Sequence, residues 1–111
     1  MVFVAGQIGW DESRKIRTRS IAGQIEQTLK NTVAVLAEAG AEPGHIVRMT
    51  WYITSRTEYL DELREIGRVW REVIGKHYPA MAVVQVSALI ESSAKVEIET
   101  TAVIPLVQCI E

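Results

Sequence analysis

Tyr78-Pro79-Ala80-Met81-Ala82-Val83-Val84-Gln85-Val86-Ser87-Ala88-Leu89 and, a few residues on, Lys95-Val96-Glu97-Ile98-Glu99-Thr100-Thr101-Ala102-Val103 decide the fold of this chain. Both segments are rich in β-branched residues and alternate with the period of two that a strand requires. In the first, Ala82, Val84, Val86 and Ala88 suit a helix-covered face, which leaves Met81, Val83, Gln85 and Ser87 on the other. In the second, Val96, Ile98, Ala102 and Ile104 point one way, and Lys95, Glu97, Glu99 and Thr101 the other. Pro105 ends the regular pattern. This reading sets Met81 and Glu97 together on one free sheet face.

The preceding segments supply the rest of the architecture. Ser55-Arg56-Thr57-Glu58 has capping-box spacing, and a helix with Leu60, Leu63, Ile66, Trp70 and Val73 as its apolar stripe runs on to about Ile74, where Gly75 stops it. His45–Thr54 alternates as a half-buried strand, with Val47, Met49, Trp51 and Ile53 on one face and Arg48, Thr50, Tyr52 and Thr54 on the other. Glu42-Pro43-Gly44 is a turn signal. Ser20–Ala39 is a helix with Ser20 as N-cap, Gly40 as stop, and Ile21, Ile25, Leu29, Val33 and Leu36 at helical spacing. Val2–Ile8 is a short strand; Asp11–Thr18 is either a turn with a short strand or a loop. The order β(β)αβαββ defines an α+β domain with both helices on one side of a sheet. The free face, carrying Gln7, Arg48, Thr50, Tyr52, Met81, Gln85, Glu97 and Glu99, is too mixed for a core and too apolar in places for plain solvent. It is expected to meet another subunit, with cavities between.

The 111 residues fit a single domain spanning 1–111, and 48% apolar with 23% charged residues is ordinary for a globular protein. A net charge of −2 with no basic run argues against a nucleic-acid partner. The apolar runs are too short to span a bilayer, and the apolar start is cut off by Gln7, Asp11 and Glu12, which predicts a cytoplasmic protein without a membrane partner. The single Cys109 has no internal disulfide partner and is expected to be an inert tail thiol. With two histidines and no Cys/His cluster, no metal site is expected.

Taken in order, Val4-Ala5-Gly6-Gln7-Ile8, Gln24/Gln27/Leu29/Asn31, Ile46–Ile53, Tyr78-Pro79-Ala80 and Val96-Glu97-Ile98-Glu99 resemble the motifs of the RidA/YjgF family of reactive intermediate/imine deaminases across nearly the whole chain. The resemblance implies a chorismate-mutase-like fold assembled as a homotrimer, with small-molecule substrates bound in clefts between subunits. It implies hydrolysis of enamines or imines to a keto acid and ammonia, with no metal or organic cofactor. Glu97 matches the family glutamate that positions water or moves protons; Gly6 matches a glycine whose backbone lies against the ligand. Glu99 also matches a family glutamate, here given a structural role.

Met81 departs from the pattern, since typical members carry at that position an arginine that clamps the substrate carboxylate. A guanidinium grips a carboxylate bidentately, whereas methionine offers an apolar, flexible surface. A pocket around Met81 would bind a less anionic ligand or take its cation from elsewhere. Arg48 is one candidate; its plainer role is an inter-subunit ion pair with Glu97 or Glu99. Val83 stands where many members have cysteine, and Gly67 where a typical member has asparagine, so both count among the substrate-binding positions. Members usually carry a further stretch before the first strand, with an aromatic residue near the ligand. Either such a segment precedes Met1 or that wall is missing.

Three readings follow: a deaminase of altered specificity, with 2-aminomuconate-type substrates as one class; a non-catalytic module binding metabolites or proteins; and, weakest given the acidic charge, an endoribonuclease or translation inhibitor. Trp51 and Trp70 read as core aromatics, Trp10 as a cleft wall or an edge cover, and His77 as a cap on the second helix.

Overall fold

A computed structural model describes residues 1–106; Cys109, expected to be an inert thiol, lies outside the described residues. The elements are β1 (Val2–Gln7), α1 (Ile21–Glu38), β2 (Ile46–Ile53), α2 (Arg56–Asp61), α3 (Leu63–Val73), β3 (Ala80–Gln85) and β4 (Val96–Ala102), with a 3-10 turn at Pro43–His45. The optional second strand reduces to one bridge between Trp10 and Ile16. That loop is tied by the Asp11 carboxylate, which accepts from the Ser13 and Lys15 amides at 2.8 and 3.0 Å and pairs with Arg17.

The four strands form one sheet in the order β1-β4-β2-β3, so the two segments that decide the fold flank β2 rather than each other. β4 is antiparallel to both β1 and β2, while β3 runs parallel to β2. A parallel pair needs a crossover connection, and α2 with α3 supplies it.

α1 begins where Ser20 Oγ accepts from the Gly23 amide, and Gly40, at φ 78°, takes the left-handed turn beyond its end. The second helix is broken at Glu62, where φ −108° and ψ 18° leave the helical region. The break has a use. Glu62 Oε1 accepts from Ser20 Oγ at 2.9 Å and from the Ala22 amide at 3.0 Å, placing a carboxylate at the N-terminus of α1. Leu60 and Leu63, expected in the apolar stripe, are therefore about half exposed, and Ile66, Val69 and Trp70 carry the buried face.

The core lies between the helices and one face of the sheet. Ile21, Ile25, Leu29 and Leu36 of α1 meet Met49, Trp51 and Ile53 of β2 and Val96, Ile98 and Ala102 of β4. Trp51 and Trp70 stack at 6.0 Å between ring centroids, as expected of core aromatics. Val47 is a correction. The register slips between Ile46 and Arg48, so Ile46 enters the core and Val47 is turned out. A buried polar knot crosses the core edge: the Gln24 amide group donates to Thr18 O and Ser93 O, and its Oε1 accepts from the Lys95 amide.

Candidate functional site

The open face of the sheet is set by register. Tyr52 lies opposite Glu97 and Thr50 opposite Glu99, while the alternate β4 residues Val96, Ile98 and Thr100 are buried. β1 contributes Gly6 beside a register shift between Val4 and Gln7. The Glu97 side chain runs across Gly6 so closely that a β-carbon there would fall 2.0 Å from Oε2 and 2.8 Å from Cδ. Only a residue without a side chain permits this approach. Tyr52 Oη donates to Glu99 Oε1 at 2.6 Å. That bond, then burial and the charges of Glu99 and Glu97, raise the Tyr52 phenol above its ordinary value. Glu99 is thus engaged by Tyr52, which fits the structural role expected of it. Glu97 makes no hydrogen bond or ion pair with another side chain among the described residues.

Met81 is not on that face. It pairs in register with Met49 and Val83 pairs with Trp51, so both belong to the helix-covered side; Ala82 and Val84 fall opposite Thr50 and Tyr52 on the open face. The expectation that Met81 and Glu97 share one face of one chain is therefore overturned. The cause is that every residue from Ala80 to Val84 is apolar, so alternation cannot say which set faces the helices. Parallel pairing with β2 decides it.

On the helix side Met81 lines a cavity of about 310 Å³ with Gly67, Arg71 and the aromatic side chains of Trp51, Tyr59, Trp70 and Tyr78. α3 forms one wall and the start of β3 the other. The Trp70 indole donates to His77 O at 3.1 Å, and the His77 ring Nε2 donates to Ile46 O at 2.6 Å. His77 thus ties the segment after α3 to β2; its ring bonds Ile46 O of β2, and the cap expected of it on the helix end is not what it forms. Burial pushes the Tyr59 phenol up.

The sequence-predicted residues therefore form two groups. Gly6 and Glu97 meet on the open face, and Met81 and Gly67 share the aromatic cavity. Val83 packs against the core instead of lining that cavity. Arg48 lies on the open face, beside Glu99 and Phe3 in a shallow hollow of about 450 Å³. It makes no ion pair among the described residues, and the sheet separates it from Met81. Trp10 lines a surface hollow with Asn31, whose amide donates to Trp10 O at 2.7 Å. Arg71 escaped the sequence reading because an arginine on a helix reads as solvated. Only the turn of Gly67 and Arg71 toward β3 could have signalled it. Among the described residues no cluster of three His, Cys, Asp or Glu side chains could hold a metal ion, and no helix is long and apolar enough to cross a membrane.

Comparison with known proteins agrees with this architecture. A family model described as Endoribonuclease L-PSP matches residues 1–104. Protein DfrA of Myxococcus xanthus is 38% identical over 108 residues, covering 93% of this chain and 76% of that protein. Human 2-iminobutanoate/2-iminopropanoate deaminase is 27% identical over 103 residues, covering 92% and 72%. The crystal structure of E. coli TdcF with bound serine superposes with a TM-score of 0.79 at 31% identity, covering 93% of this chain and 80% of that one. The chain belongs to the YjgF/RidA family, whose members include proteins named as imine deaminases.

Proposed function

We propose that this chain is a cytoplasmic enamine/imine deaminase-like hydrolase that releases ammonia from a reactive imine, with Glu97 as its catalytic carboxylate. The observation that carries the reading is the contact between Glu97 and Gly6. A carboxylate with no side-chain partner among the described residues lies against the bare backbone of Gly6 on the open face. A protonated imine is already electrophilic. Glu97 accepts a proton from water as its oxygen bonds to the imine carbon, then delivers that proton to nitrogen. The carbon–nitrogen bond breaks as Glu97 takes the remaining hydroxyl proton and the carbonyl forms, and ammonia leaves. Family membership and the name of the human relative support the reaction class.

The sheet lies between Glu97 and the Met81 cavity, so a cleft using both takes Gly6 and Glu97 from one copy and Met81 and Gly67 from another. This supports substrate binding in inter-subunit clefts of a homotrimer. Met81 and the aromatic walls favour substrates with an unsaturated, apolar body, of which 2-aminomuconate is one class. Val83 contributes from behind the cavity wall, and Arg48 belongs to the subunit contact beside Glu99.

The test is ammonia release from freshly generated 2-iminopropionate and from 2-aminomuconate, with Glu97→Gln as control. No acceleration of either at high enzyme concentration overturns the reading. The second reading, a binding module without turnover, draws on the loss of the clamping arginine at Met81. Glu97→Ala separates the two, because a binding module keeps its ligand affinity. Ribonuclease action finds no support in an open face carrying Glu97 and Glu99 in a chain of net charge −2.

A further inference from the structure

Cationic side chains line several hollows of this surface, and some of them are already engaged. In the hollow of about 630 Å³ at the end of the sheet, Arg17 is held by Asp11 and Lys95 by Glu58, the latter at 2.7 Å. On α3, Arg68 is held from both sides by Glu65 and Glu72. Arg71 is different. It is one turn beyond Gly67, lines the aromatic cavity, and makes no ion pair or hydrogen bond among the described residues.

Its position depends on Gly67. A β-carbon built on Gly67 would lie 3.4 Å from Arg71 Nη1, so the guanidinium lies over the glycine and fills the space a longer side chain would take. The opposite wall is Met81, and Trp51, whose buried indole N–H has no acceptor, also lines the cavity. A planar, permanently charged fork beside aromatic faces suits a planar carboxylate.

We propose that Arg71 is the anion-binding residue of the Met81 cavity, and that the cavity takes small carboxylates with a flat unsaturated or aromatic body. The cation absent from position 81 on β3 is supplied from α3, across the same cavity, through the room left by Gly67. This rests on the Met81 cavity being the substrate half of the cleft.

The experiment is an NMR titration of the full-length protein with benzoate and its uncharged isostere benzamide, following the indole N–H signals of Trp51 and Trp70. Benzoate is expected to bind at least about tenfold more tightly than benzamide, a difference typical of one charge-assisted hydrogen-bonded pair. Arg71→Gln should remove that preference and Arg71→Lys restore part of it, while Arg68→Gln leaves it intact. Gly67→Leu, which displaces the guanidinium, should act like Arg71→Gln. Equal binding of the two probes, no binding of either, or a benzoate preference that survives Arg71→Gln overturns the proposal. Ammonia release on the same variants keeps the two ideas apart. Turnover with no Arg71-dependent preference defeats this inference alone, and the preference without turnover defeats the deaminase reading alone.

Discussion

Gly6 and Glu97 occupy one space: the carboxylate lies where a side chain at position 6 would begin, with Oε2 2.0 Å from that point. The two residues come from β1 and β4, neighbours in the sheet, and the register shift beside Gly6 lets the strand pass under the glutamate.

Gly6→Ala should therefore behave as a site mutation with little effect on the fold. The Glu97 side chain can swing out of the way, so the loss should fall on turnover. Ammonia release should drop about 100-fold or more, as for removal of a general base, and Glu97→Gln should match it. Circular dichroism and the thermal midpoint should stay close to wild type in both. A Gly6→Ala protein with full turnover would separate the glycine from the chemistry.

Tyr52 and Glu99 give a spectroscopic handle. The hydrogen bond to Glu99 raises the Tyr52 phenol above its ordinary value near 10. A raised value means the fold favours the protonated phenol. The contribution is present below the unfolded value and is lost as pH rises through the folded one. Ultraviolet titration of phenolate absorbance should show Tyr52 ionising late, and Glu99→Ala should bring it back toward the ordinary range. An unchanged titration in Glu99→Ala would show that the bond does not govern this tyrosine.

The knot around Gln24 should matter for stability rather than activity. Gln24→Leu keeps the volume but strands the Lys95 amide and the carbonyls of Thr18 and Ser93 at the core edge. The expected cost is roughly 2–3 kcal/mol, from buried polar groups left unpaired. Urea unfolding measures it, and a loss below about 0.5 kcal/mol would mean water replaces the amide.

Glu62 should matter through α1. Glu62→Ala removes acceptors from Ser20 Oγ and the Ala22 amide. A loss of about 1 kcal/mol is expected, as for other helix N-caps. Hydrogen exchange should localise it to the first turn of α1, and uniform loss of protection would contradict that placement.

Much of the architecture was legible because periodicity was unambiguous where one side of a segment is polar. In β4, Glu97 and Glu99 alternate with the buried Val96 and Ile98, so the polar pair marks the open face directly. In α1, Ile21, Ile25, Leu29 and Leu36 gave both the helix and its buried side. β3 defeated the same logic because Met81, Ala82, Val83 and Val84 offer no polar member to mark a face. Only pairing with β2, distant in sequence, resolves it. Val47 departs from the alternation because one extra residue in a strand shifts the facing of its end. The break at Glu62 was hidden because its cause is a contact with Ser20 and Ala22, forty residues earlier. Of the candidate site, Gly6, Glu97, Met81 and Gly67 stand out through family resemblance, while the placement of Arg71 shows only in the three-dimensional cavity.

The sheet between Glu97 and the Met81 cavity has a genetic consequence. If a working cleft draws its two halves from different copies, two defective chains can rescue each other. Chains carrying Glu97→Ala retain the cavity, and chains carrying Gly67→Trp retain the carboxylate. Each homogeneous assembly should be inactive. Coexpressed, they should regain activity in about one cleft in four by random assortment around a closed ring. Alleles at the two positions would then complement each other, although they lie in the same gene.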